Sequence, residues 1–233
     1  MASASHIPLR PNFFVAVQIS NSEIHKKIIQ VQDALIKYDQ GLAKTLVDVA
    51  TSHVTVLLAR IDDENTLSRA RSALKDFYKD FGKDWKSLKL TFSGLDHFSN
   101  KILYARVVED ENHRQFLHLA YTLRQFLESR GINLIYKTLH PHLTIAKMVG
   151  KKGQQSPRKA FEIESYATYK DLYFGDETIS ALQLLAMHLP KDAKRYYYCC
   201  EEIQFENSLQ NQDDHSQCCF LYLFIYSLIS ISL

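Results

Sequence analysis

One short pattern occurs twice in this chain, and it dictates the backbone that can carry it. Ser52-His53-Val54-Thr55-Val56 and Pro141-His142-Leu143-Thr144-Ile145 both read His-x-Thr-x, with apolar residues at the x positions. Strict alternation of this kind belongs to a half-buried β-strand, whose side chains point to opposite faces in turn. His53 and Thr55 then share one face, with Val54 and Val56 on the other. His142 and Thr144 share a face in the same way, with Leu143 and Ile145 behind them. Each stretch is expected to be a strand whose back lies in a core and whose front presents an imidazole and a hydroxyl.

The flanking sequence supplies the rest of such a core. Asn12 to Ile19 is rich in aromatic and β-branched residues and predicts a first strand. Ser20-Asn21-Ser22 offers helix caps ahead of Ile24, Ile28, Val31 and Leu35 at helical spacing. Asp62-Asp63-Glu64 opens a second helix with an apolar stripe of Leu67, Ala70, Leu74, Phe77 and Phe81. Residues 88–95 and 102–108 read as two strands. His113 to Arg130 reads as a third helix, stopped by Gly131. Leu139 to Met148 carries the second tetrad. Phe161 to Leu172 reads as helical, and Thr178–His188 with Tyr196–Phe205 as a closing pair of strands. The fold class expected is α+β. It has two lobes, each with one tetrad in an antiparallel sheet, helices outside and a cleft between.

A chain of 233 residues with 46% apolar content can bury such a core. Net charge is only +2, so no strong electrostatic field points to duplex DNA or a polyanion. A nucleotide ligand therefore needs a local site. All four cysteines lie late, as Cys199-Cys200 and Cys218-Cys219, without the spacing of a zinc site or a disulfide framework for the body. Met1 to Arg10 lacks the apolar core of a secretion signal. A cytoplasmic or nuclear location is expected. The segment Cys218 to Leu233 has no charge in sixteen residues. It reads as a short membrane tail anchor with acylatable cysteines, or as a terminus without a role in the domain. A span of about 20 residues is usual for a crossing helix, which favours the second reading. The expected division is a tail at 1–10, the domain at 11–206, and a polar linker with an apolar tail at 207–233.

Two histidines facing one cleft suit phosphodiester chemistry. A neutral imidazole takes a proton from the attacking oxygen while a protonated one gives a proton to the leaving oxygen. Threonine hydroxyls can donate to the non-bridging phosphate oxygens. No metal and no cofactor is required. His140-x-His142 supplies two metal-ligand types on one strand but no third. Arg195 with Tyr196, Tyr197 and Tyr198 suits either a phosphate or base contact or a plain closing strand. Lys151-Lys152 and Arg158-Lys159 read as a solvated basic loop.

The paired tetrads resemble the signature of the two-histidine (2H) phosphoesterases, above all the central domain of A-kinase anchor protein 7. The likeness extends to Pro11-Asn12-Phe13-Phe14, Leu42-Ala43-Lys44, Phe174-Gly175-Asp176-Glu177 and Tyr197-Tyr198-Cys199. It implies a two-lobed α+β fold with a nucleotide groove. His53 and His142 would be the acid–base pair, with His142 taken as the base. Thr55, Thr144, His142 and Leu143 would contact phosphate or nucleotide. Two functions follow. One is a metal-independent phosphodiesterase for RNA-type or 2′,5′-linked oligonucleotides, whose groove also binds AMP or CMP. The other is a non-catalytic nucleotide-binding or scaffold module. The implied partners are a nucleotide or oligonucleotide and, for an anchoring protein, the regulatory subunit of protein kinase A. No amphipathic anchoring helix is recognisable in this chain.

Overall fold

The computed structural model describes residues 10–85, 88–135, 139–148 and 160–205. The basic loop, the N-terminal tail to residue 9 and the apolar C-terminal segment lie outside the described residues. Among the described residues no helix is long and apolar enough to cross a membrane.

Among the described residues nine strands form two antiparallel sheets. The first holds β1 (Phe13–Gln18), β2 (His53–Arg60), β5 (Asn133–Ile135), β8 (Ala181–Ala186) and β9 (Tyr198–Gln204), in the order β5-β2-β1-β8-β9. The second holds β3 (Lys89–Phe98), β4 (Ile102–Val107), β6 (His142–Lys147) and β7 (Tyr173–Thr178), in the order β6-β4-β3-β7. The tetrads thus lie on different sheets, as expected. The sheets, however, are not the two halves of the sequence. β8 and β9, the last of the described strands, complete the sheet that β1 begins.

Three α-helices of the described residues cover the sheets, and each begins where a side chain meets an orphan backbone N–H. The carboxamide of Asn21 accepts from Glu23 N at 2.9 Å at the start of α1 (Ser22–Tyr38). Asp63 accepts from Thr66 N ahead of α2 (Glu64–Phe81), and Asp110 from His113 N ahead of α3 (Glu111–Ser129). Gly131, at φ 74°, closes α3 by bonding Glu128 O. The apolar face of α1, namely Ile24, Ile28, Val31 and Leu35, is at most 1% exposed. Burial of each such side chain stabilises the fold by about 1.5–3 kcal/mol. α1 packs on β6 and β7, whereas α2 and α3 pack on each other, α2 against β9 and α3 against β2, β3 and β5. The N-terminal helix therefore supports the sheet that carries the second tetrad.

Three expectations need correction. Residues 161–172 form only two short 3₁₀ turns, Ile163–Ser165 and Ala167–Tyr169. The segment is rich in aromatic and β-branched residues, which lower helix propensity. β7 precedes the expected strand at 178. Its Gly175, at φ 131°, and Asp176 carry the look of a turn, yet Gly175 pairs with Phe92 in the ladder. The second tetrad strand starts at His142 rather than Leu139, just after Pro141, which has no N–H to give a ladder.

Candidate active site

The two tetrads fold alike in detail. In β2, Thr55 pairs with Ala16 and Leu57 with Val15, so Val56 is an extra residue in the ladder. In β6, Thr144 pairs with Tyr104 and Ala146 with Leu103, so Ile145 is extra. Each tetrad thus ends in a β-bulge at its fourth residue. Val54, Val56, Leu143 and Ile145 are at most 1% exposed and belong to the main core. The His and Thr side chains of both strands are half-buried on the other face. β2 and β6 lie beside each other where the sheets meet, and Thr55 and His142 line one cavity of about 220 Å³. Val56, Leu58, Ile135, Leu139, His140 and Arg124 also line it.

The histidines are held by the same bond. His53 Nδ1 lies 2.7 Å from Thr51 O, and His142 Nδ1 lies 2.6 Å from His140 O. A carbonyl only accepts, so Nδ1 carries the proton in each ring. Nε2 is then the lone-pair nitrogen of the neutral imidazole, and no described residue hydrogen-bonds it. The Thr51 carbonyl is itself fixed by the turn Val49–Thr51, where Asp48 accepts from Ala50 N and Thr51 Oγ1 donates to Asp48 O.

Aromatic rings flank each imidazole. Phe14 and Tyr197 have centroids 5.1 and 5.4 Å from that of His53. Phe98 and Tyr104 lie 4.9 and 5.2 Å from His142. These walls depress both imidazoles. Burial lowers His53 to about 4, against the pull of its bond to Thr51; the charges of His142, Lys147 and Lys191 add to the fall. Burial also lowers His142, opposed by the bond to His140 O and assisted by the charges of His140 and Lys147. The drop is large for His53, and it includes repulsion from a charged His142. Both rings are thus biased towards the neutral form, and repulsion disfavours charging both at once.

Leu143 is 0% exposed and on the core face, opposite Ala105. Any contact it makes with a ligand is through its backbone, because alternation turns its side chain away. His140 lies beside His142 with centroids 6.3 Å apart. Among the described residues no group of three His, Cys, Asp or Glu could hold a metal ion. Arg195 pairs with Asp48 at 3.3 Å, and Tyr196 is buried. Of that run only Tyr197 reaches the site, with Lys191 Nζ 5.3 Å from its ring centroid.

Sequence reading missed Lys147, Lys191, Arg124, Phe98 and Tyr104. Lys147 was hidden by the bulge. Plain alternation puts it on the core face, but the extra Ile145 shifts the phase and sets Lys147 opposite Ile102, on the face of Tyr104. The others come from distant elements, and no local spacing marks them. Gln32 was missed as well. This buried residue of α1 donates to Val47 O at 2.7 Å and to the bulge carbonyl of Ile145 at 3.1 Å, and Val47 N also bonds Ile145 O. It secures the outer edge of β6, where Leu46 bridges Ala146, beside the second tetrad.

Residues 11–205 match the protein family described as AKAP7 2′5′ RNA ligase-like domain. The chain is 28% identical over 195 residues to human A-kinase anchor protein 7 isoform gamma, covering 82% of this chain and 56% of that one. It spans just over half the length of that curated relative. TT0787 of Thermus thermophilus shares the fold with a TM-score of 0.58 at 18% identity, over 84% of this chain and 99% of the other. So does E. coli LigT complexed with 3′-AMP, with a TM-score of 0.55 at 13% identity, over 84% and 99%. With the family matched from Pro11 to Phe205 and both of its tetrads in place on facing strands, the chain belongs to the AKAP7 2′5′ RNA ligase-like family of the two-histidine phosphoesterase superfamily.

Proposed function

We propose that this protein is a phosphodiesterase for RNA-type or 2′,5′-linked oligonucleotides that needs no metal, and that the same groove binds 5′-nucleoside monophosphates such as AMP or CMP. The observation that carries this reading is the duplicated geometry: two Nδ1-anchored imidazoles, each with a threonine on its face, on adjacent strands of two sheets. The scissile phosphate sits between them, with Thr55 and Thr144 donating to its non-bridging oxygens. The stronger lowering of His53 supports a reading opposite in sense to the sequence expectation. His53, the harder to protonate, is the base, and His142 is the acid. His53 Nε2 takes the proton of the attacking hydroxyl or water as its oxygen bonds to phosphorus. The bond from phosphorus to the leaving oxygen breaks, and His142 Nε2–H protonates that oxygen. One proton has then moved from nucleophile to leaving group through the protein, and a proton exchange resets the pair. Both transfers are made by imidazoles, so the scheme calls on no metal. Tyr197 and Phe98, the partly exposed rings beside the two imidazoles, offer stacking surfaces for the flanking bases. Family membership and the complex of LigT with 3′-AMP support a nucleotide ligand.

The test is cleavage of 2′,5′-linked oligoadenylate by the full chain with chelator present, beside calorimetric titration with AMP. Turnover by wild type and its loss in folded His53→Ala and His142→Ala is the expected outcome. Equal activity in wild type and the folded double variant overturns the assignment. AMP binding without turnover moves the reading to a nucleotide-sensing module.

A further inference from the structure

A second cavity, of about 350 Å³, adjoins the first, and Leu139 and His140 form a wall of both. α3 runs beneath the two, with His113 and Leu117 lining the second cavity and Arg124 the first. From His113 to Arg124 the helix rises about 16 Å, the scale of a few nucleotides rather than one. The second cavity lies where β4 extends past the start of β6, and Asp96, Arg106 and Glu109 open onto it.

Arg106 is the informative residue. It is the cross-strand partner of His142, so their side chains share a face with Cβ atoms about 5 Å apart. Its guanidinium lies flat over Gly94: a Cβ on that glycine would stand 2.3 Å from Nη2, and Gly94 is at φ 74°. Among the described residues Arg106 makes no ion pair and no side-chain hydrogen bond. A planar, permanently charged fork thus lies directly across the ladder from His142 without a protein acceptor. Asp96 and Glu109 in the same cavity argue against a sink for free anions. A phosphate beside carboxylates instead describes a nucleotide, whose ribose hydroxyls and base N–H groups donate to Asp96 and Glu109.

We propose that this cavity is the subsite for the next nucleotide of an oligonucleotide. Arg106 binds the phosphate that neighbours the scissile one, and Asp96 and Glu109 take the sugar or base donors. The inference rests on the phosphodiesterase reading and deepens it: the preferred substrate has at least two phosphodiester links, with the second on the His142 side.

The experiment compares kcat/KM for 2′,5′-linked di- and triadenylate in wild type and Arg106→Met. Methionine keeps an unbranched stem over Gly94, and circular dichroism checks the fold. Wild type should prefer the trimer, and Arg106→Met should lose about tenfold more on the trimer than on the dimer, as for one charge-assisted hydrogen bond. An equal loss on both, or none on the trimer, overturns the subsite. If wild type cleaves neither, calorimetry with triadenylate and AMP gives the answer independently. A trimer preference removed by Arg106→Met upholds the subsite while the catalytic reading fails. Equal affinity for trimer and AMP in wild type sinks the subsite whatever the chemistry.

Discussion

His53 and His142 occupy matching backbone sites in unlike surroundings. His53 lies between Phe14 and Tyr197 and feels Lys147, Lys191 and His142; His142 has His140 and Lys147 near it. A reaction that needs His53 neutral and His142 protonated runs above about 4, where His53 loses its proton, and below the lowered value of His142. The profile of kcat/KM against pH is therefore expected to be a bell on the acid side of 6.5, with two apparent constants that belong to the pair. A bell centred above about 7 would contradict the desolvation argument. Removal of either imidazole should lower the rate about 10²–10⁴-fold, and removal of both by less than the product. Lys147→Met removes a charge that depresses both rings and should move both limbs of the bell upward. The tetrads were legible in the sequence because the pattern is local and each face follows from alternation. Of the ring walls and cations only Tyr197 was marked, by its run of tyrosines; Phe14, Phe98, Tyr104 and Lys191 meet the histidines only when segments far apart in the chain come together.

At the scale of elements, α1 acts as the splint of β6. Gln32 is 7% exposed and fills two acceptors beside the bulge that phases His142, Thr144 and Lys147. Gln32→Leu nearly keeps its volume but strips one donor from buried carbonyls, so a loss of about 1–3 kcal/mol is expected in chemical denaturation. A cost under a few tenths would show that the bond to Val47 N alone secures the edge. The other end of α1 is tied by Glu177 of β7, whose carboxylate accepts from Ser20 N, Ser20 Oγ and Asn21 N at 2.9–3.0 Å. The helices were readable because their caps and apolar stripes are written in consecutive residues. β7 was not, because Gly175 and Asp176 signal a turn and only the ladder with β3 makes them a strand. The three-residue β5 is too short to show a period.

Across the whole molecule, the half-buried imidazoles link folding to pH. An unfolded histidine titrates near 6.5, and folded His53 near 4. Between those values the unfolded chain binds more protons, so stability falls as pH falls through this window. His53 contributes up to about 3 kcal/mol of that loss, and His142 acts in the same direction. Denaturation midpoints from about pH 7 to about pH 4 should fall less steeply in His53→Gln than in wild type. Parallel slopes would mean that His53 is solvated in the folded state.

The interleaved topology has a consequence for how the chain is made. β1 sits between β2 and β8, so the strand synthesised first has a whole edge waiting for residues 181–186. A nascent or prematurely terminated chain that ends before β8 exposes the edge of Phe13-Phe14-Val15-Ala16 to other chains. Phe14, a wall of His53, is covered only when Leu185, Tyr196 and Tyr197 arrive to pack on it. A splice form or proteolytic product that lacks the last two strands would keep both tetrads in its sequence, yet it would have no finished cleft and would be prone to clump on the ribosome or soon after release.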